Sequence, residues 1–206
     1  MNTRSRIIAA AAFAVVAAGL VALLVFGDLG AGEDADVTPT AATEMLWPED
    51  QAEVVVAFRL VDNRTGEAVE ATSEDGMTWA IEELPDDAPG DLPPDDDRIN
   101  TALIGLPGLL PSRELSGIEA MAPYGLEDPR YTLTYRLTSG EERTLYIGEE
   151  SPTATGIYVR LTDDISAGVT VYLIPPSALS PVIGFVDDPP LLYPTPTPTP
   201  EAGEGG

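Results

Sequence analysis

Residues 7–26 carry no charged side chain and form an unbroken run of apolar or small residues, opening Ile-Ile-Ala-Ala and closing Leu-Leu-Val-Phe. Coiled as a helix at about 1.5 Å per residue, the run is about 30 Å long, the thickness of a bilayer's hydrocarbon core. It lacks the polar face that a helix on a globular surface needs. Arg4 and Arg6 precede it, while Asp28, Glu33, Asp34 and Asp36 follow. That asymmetry predicts residues 1–6 in the cytoplasm and everything beyond Phe26 outside. The run is longer than the ~7–15 apolar residues of a cleavable signal, so a retained anchor is expected; Gly30-Ala31-Gly32 offers the competing cleavage site. The expected localisation is the cell membrane, single-pass, with an extracytoplasmic C-terminal domain.

Composition removes several chemistries. Asp and Glu number 35 against 10 basic residues, all of them Arg, and the chain has no Lys, His or Cys. Disulfides and thiolate metal sites are therefore excluded. The usual general bases and activated nucleophiles are missing, so no enzyme activity and no cofactor are expected. A net charge of -25 repels phosphate, which makes nucleic acid and anionic lipid surfaces poor partners. Neither GxxxxGK[ST] nor GxGxxG occurs.

Residues 27–43 are small, acidic and proline-containing, the composition of a flexible stalk. Residues 191–206 read as a tail: alternating Pro and Thr favour polyproline II, with a polar, glycine-rich end expected to be disordered and open to O-glycosylation. Between them, residues 44–190 are expected to fold. Val54, Val56, Phe58 and Leu60 alternate with Val55, Ala57 and Arg59, a strand with one face more deeply buried. Asp62-Asn63-Arg64-Thr65-Gly66 is turn chemistry, so residues 67–72 should return as a hairpin partner. After Asp75-Gly76, Met77, Trp79 and Ile81 should point one way on a third strand. Asp95 and Asp96 mark a helix start, Ile99, Ala102, Leu103 and Leu106 follow at helical spacing, and Pro107-Gly108 stops it. The second half has the same plan. Residues 131–137 alternate, Ser139-Gly140 turns, and a partner strand ends at Gly148. Strands over 157–161 and 169–173 and a short helix over 177–184 follow. These patterns predict an α+β class: mainly antiparallel sheet with one or two short covering helices, arranged as two meander-plus-helix units.

One ordered set of elements is familiar. Trp79-Ala80-Ile81, a short helix, Tyr124-Gly125-Leu126-Glu127-Asp128-Pro129, Leu145-Tyr146-Ile147-Gly148 and Tyr158-Val159-Arg160 succeed one another. That order resembles the DUF4340 family, with the resemblance covering roughly residues 53–186. It implies a membrane-anchored extracytoplasmic protein, some members being associated with gliding-type ABC transport systems. It carries no catalytic residues. Read physically, the elements are architectural: Tyr124-Gly125 suits a helix end with a left-handed glycine, and Pro129 leads into the next strand.

Two sets of residues are candidate sites. Glu82, Glu83, Asp86, Asp87, Asp91, Asp95, Asp96 and Asp97 offer oxygen ligands for Ca²⁺, but their spacing matches no EF-hand and prolines interrupt them. Tyr146, Tyr158 and Tyr172 lie opposite the apolar alternation of their strands, and Arg136 and Arg160 occupy comparable positions. Together they could line a partner surface, or simply form cross-strand pairs that stabilise the sheet. The leading expectation is a non-enzymatic interaction or scaffold domain contacting an envelope protein or surface polymer. The alternatives are a small-ligand or Ca²⁺-binding module and an accessory component of an ABC-type transport system.

Overall fold

The computed structural model describes residues 39–42, 44–162 and 168–194. The expected anchor at 7–26, most of the expected stalk, and residues 195–206 lie outside the described residues. Among the described residues no helix is long and apolar enough to cross a membrane.

The fold is α+β, as the alternation predicted. Nine strands form one sheet in which every pairing is antiparallel: β1 (Pro39–Ala41), β2 (Val55–Asp62), β3 (Ala68–Ser73), β4 (Trp79–Glu83), β5 (Arg113–Ile118), β6 (Tyr131–Leu137), β7 (Glu142–Glu150), β8 (Ile157–Arg160) and β9 (Val169–Ile174). Their order is β1-β5-β9-β8-β7-β6-β2-β3-β4. The pair β2–β6 stands at the centre of two meanders. β2-β3-β4 runs from it to one edge and β6-β7-β8-β9 runs the other way. Each meander is followed by a helix, α1 (Asp96–Leu103) and α2 (Pro176–Ile183). Asp95 caps α1 by accepting the backbone N–H of Arg98 at 3.0 Å, satisfying one of the free donors of a helix start.

One sheet face carries the main core. Phe58 and Leu60 of β2, Leu133 and Tyr135 of β6, Leu145 and Ile147 of β7, and Val159 of β8 pack against Ile99, Leu103 and Leu106 of the first helical region and Leu179, Val182 and Phe185 of the second. Phe58 meets Trp79 and Phe185 at ring-centroid distances of 5.7 and 5.8 Å, the tilted and edge arrangements that aromatic quadrupoles favour. The segment before β2 closes one side of this core. Asp50, 2 % exposed, takes a two-pronged ion pair from Arg143 at 2.7 and 3.0 Å. The Arg143 guanidinium lies 5.4 Å from the Trp47 ring, and Trp47 meets Tyr135 edge-on.

The opposite face bears a second, smaller core. Ile118 at the end of β5, with Met121 and Leu126 from the connection between β5 and β6, packs on Val169 and Val171 with Tyr158 at the margin. Here the family-like elements converge. Gly125, at φ +65°, ends a 3-10 turn, as its sequence context predicted. Gly148 lies beneath that turn: a Cβ there would meet the Tyr124 carbonyl oxygen at 2.3 Å and the Gly125 carbonyl oxygen at 3.0 Å. The 122–126 segment is thus a strap drawn onto β7 and β8 where a glycine lets backbone touch backbone.

Several expectations change. A β-bulge between Val55 and Ala57 shifts the register of β2 against β6. Val55, not Val54 or Val56, therefore joins Phe58 and Leu60 in the core, and Val54 turns outward. Met77 precedes β4 in a turn and is exposed, so it does not share the buried side of Trp79. β7 runs past Gly148 to Glu150, with its register broken between Ile147 and Glu150. β5 had no clear strand pattern, because Ser116-Gly117 sits at a register break in it. At the margins, Pro39–Ala41, expected as stalk, pairs with β5, while Leu191, expected as tail, is buried and bridges to Pro94.

Candidate functional site

The five residues singled out by alternation separate into three groups. Tyr146 stands opposite Arg160 across β7 and β8, and the Arg160 guanidinium lies 4.0 Å from the centre of the Tyr146 ring. Arg160 is only 5 % exposed; its Nε donates to the Leu126 carbonyl at 3.2 Å, and a terminal guanidinium nitrogen donates to the Thr162 carbonyl. Tyr158 meets Tyr124 edge-on at 4.9 Å. Tyr146, Tyr158 and Arg160 are therefore together; Arg160 and Tyr158 reach the strap through Leu126 and Tyr124, and Tyr146 stacks on Arg160. Tyr172 is on the other face: it pairs with Val159 and packs against the main core, and burial raises its pKa. Arg136 is exposed, opposite Ala57 and Glu142. It stands four residues along β6 from Thr132, the partner of Tyr146, or about 13 Å at roughly 3.3 Å per residue.

Four of the eight acidic candidates are engaged in local structure. Glu83 pairs with Arg59 at 2.9 Å, Glu82 accepts the Thr72 hydroxyl, Asp95 caps α1, and Asp96 accepts the Trp79 backbone N–H at 2.9 Å. Among the described residues no group of three or more such side chains is placed to hold a metal ion.

A different place stands out. Val54 is 46 % exposed, Met77 64 % and Ile104 84 %, and all three line one cleft of about 270 Å³. Its floor is Val55, Trp79 and Leu103, and Glu53, Gly76, Asn100 and Pro107 complete it. Apolar side chains gathered at one solvent-facing depression are what a binding surface requires, whereas scattered ones are ordinary.

The walls are fixed by polar contacts. In the turn before β4, Asp75 accepts the backbone N–H groups of Met77 and Thr78, both at 2.8 Å, and the Ser73 hydroxyl. Those bonds hold the Asp75 carboxyl below its ordinary pKa, the Thr78 and Met77 amides contributing most. Ser73 Oγ accepts the Gly76 N–H. Gly76 has φ +69°, and a Cβ on it would meet Val54 Cγ1 at 2.4 Å, so only glycine lets the turn lie this close to β2. Asn100 then latches the turn to α1: its Oδ1 accepts the Trp79 indole N–H at 2.8 Å and its Nδ2 donates to the Met77 carbonyl at 2.9 Å. Met77 is held in place while its side chain stays in solvent. Binding then costs little ordering of the backbone, and methionine adapts to the shape it meets.

Sequence reasoning misses this cleft because alternation groups Val54 with Phe58 and Leu60, and Met77 with Trp79 and Ile81. The bulge that exposes Val54 has no sequence signature. The signal available was the Ser73-x-Asp75-Gly76 turn, which argues against Met77 lying inside a strand.

The chain belongs to the DUF4340 family, a domain of unknown function, whose model matches residues 61–179. Neither a curated protein nor a solved structure matches it. The matched span holds the strap and its glycines together with most of the cleft, leaving Glu53, Val54 and Val55 just outside.

Proposed function

We propose that this protein is a non-catalytic interaction domain, anchored through residues 7–26 and displayed outside the membrane, that docks an envelope partner in the cleft of Val54, Met77 and Ile104. One observation carries the reading: a rigidly walled depression exposes three large apolar side chains that the core does not use. The apolar run with its flanking charges supports the anchor and the orientation. Arg160 is bonded to the strap and stacked on Tyr146, whereas the cleft's apolar side chains are open to solvent, which favours the cleft over the sheet face as the docking surface.

Single-cysteine variants of a chain that has no cysteine of its own provide the test. Thr65→Cys, on the exposed β2–β3 turn, should react with a membrane-impermeant maleimide added to intact cells. Ile104→Cys should react in the purified chain and be shielded in the native membrane. Thr65→Cys that reacts only after permeabilisation would overturn the placement, and an unshielded Ile104→Cys would overturn the docking.

A further inference from the structure

The cleft's size and charge say what kind of partner it takes. Small-molecule sites usually span about 300–1,000 Å³ and enclose most of their ligand. This one measures about 270 Å³ and is open. An apolar cavity of about 150 Å³ holds a group the size of benzene, so the cleft seats one or two apolar side chains of a larger molecule. Its electrostatics are one-sided. Among the described residues Glu53 is the only charged one lining it, and its carboxylate is fixed at the rim by the Ser139 backbone N–H at 2.9 Å and the Thr138 hydroxyl. Glu74 and Asp75 precede Gly76 in the turn that forms one wall, both exposed. The C-terminal end of α1 contributes Leu103 and Ile104, and its last turn contains no basic residue, so the negative end of the helix dipole is not offset there. Acidic rim, helix end and a net charge of -25 all favour a cation over the cleft and oppose a second copy of this chain or an anionic lipid headgroup.

We infer that the cleft takes a basic polypeptide segment, one that inserts one or two apolar anchors between Met77, Ile104 and Val54 and places Lys or Arg against Glu53 and the Glu74-Asp75 turn. The inference rests on the docking role proposed above and adds the partner's chemistry. Apolar anchors supply most of the affinity at such a site, and the charges supply encounter rate and selectivity.

The test is a displayed library of random 12-residue peptides selected on the full chain in detergent micelles and read by sequencing before and after selection. Sequences with one or two Leu, Ile, Met or Phe flanked by Lys or Arg should be enriched. That enrichment should fall at least ten-fold on Ile104→Asp and on Met77→Asp, and should weaken as salt rises. Both positions are largely solvent-exposed, and unchanged melting of each variant verifies that it is folded. Enriched sequences that depend on Ile104 but carry no basic excess would overturn the cationic partner while leaving the docking role standing. Basic sequences bound equally by both variants, or no enrichment that depends on Ile104, would overturn both.

Discussion

Gly148→Ala tests whether the strap is held by direct backbone contact. The new Cβ would stand 2.3 Å from the Tyr124 carbonyl oxygen, 2.9 Å from Leu126 Cδ2 and 3.0 Å from the Gly125 carbonyl oxygen. A carbon normally approaches a carbonyl oxygen to about 3.3 Å, so the strap must lift by about 1 Å. It has little freedom to do so. The Leu126 carbonyl is held by Arg160, the Tyr124 ring by Tyr158, and Gly125 lies against Glu149 so closely that its own Cβ would clash with the Glu149 backbone nitrogen at 2.9 Å. Forcing a methyl into a packed site costs about 1–3 kcal/mol, and two of the three obstructing atoms are backbone, so the upper end applies. At roughly 2–4 °C per kcal/mol for a domain of this size, melting should fall by about 6–12 °C. The assay is near-UV circular dichroism of the full chain in mild detergent. Gly90→Ala is the control, since nothing lies within 4 Å of a Cβ there, and it should change stability by no more than about 0.5 kcal/mol. A Gly148→Ala chain that melts within about 1 °C of the parent would refute the strap as described.

Two further predictions concern charge. Arg143→Ala leaves the buried Asp50 carboxylate without its two-pronged partner and should cost about 3–5 kcal/mol in chemical denaturation. Arg59→Ala, which removes only the exposed pairs to Glu70 and Glu83, should cost under about 1 kcal/mol; equal losses would mean that the burial of Asp50 does not matter. Asp75 is a stronger acid in the fold than its ordinary value of 3.8, so the stability its bonds contribute is fully present above that pH and is lost progressively as pH falls from there through its lower folded-state pKa. Comparing denaturation at about pH 5 and about pH 3, the parent should lose more stability than Asp75→Asn, whose turn has no carboxylate to protonate; identical losses would remove Asp75 from the account.

Much of the fold was legible because local chemistry and tertiary packing agree. Asp62 does what the turn reading asked of it, accepting the Arg64 backbone N–H at 2.8 Å, and Gly66 and Gly140 take the positive φ their turns need. The period-two residues of β6 and the Ile99–Leu106 face of the first helical region are buried as their spacing predicted. What the sequence hid were features that depend on distant partners. The bulge in β2 shows itself only as a register shift against β6, and β5 is a strand because β9 lies beside it. Asp50 is separated from Arg143 by more than ninety residues, and no local pattern marks it as buried. For the surface, alternation placed Tyr146, Tyr158 and Arg160 correctly on one face. It did not reveal that the strap covers Arg160, nor that Tyr172, in a strand registered with Val159, faces the core. The cleft was hidden by the same cause as the bulge, since Val54 and Met77 are apolar residues at strand boundaries and composition alone assigns them inside.

The measurement that reaches the central claim most directly is the maleimide reaction rate of Ile104→Cys in native membranes divided by its rate in the purified chain, each normalised to Thr65→Cys. A cleft occupied by a partner predicts a ratio several-fold below one that returns to one once the partner is stripped by detergent and salt. A ratio of one from the outset, with Thr65→Cys fully reactive in both preparations, would contradict it.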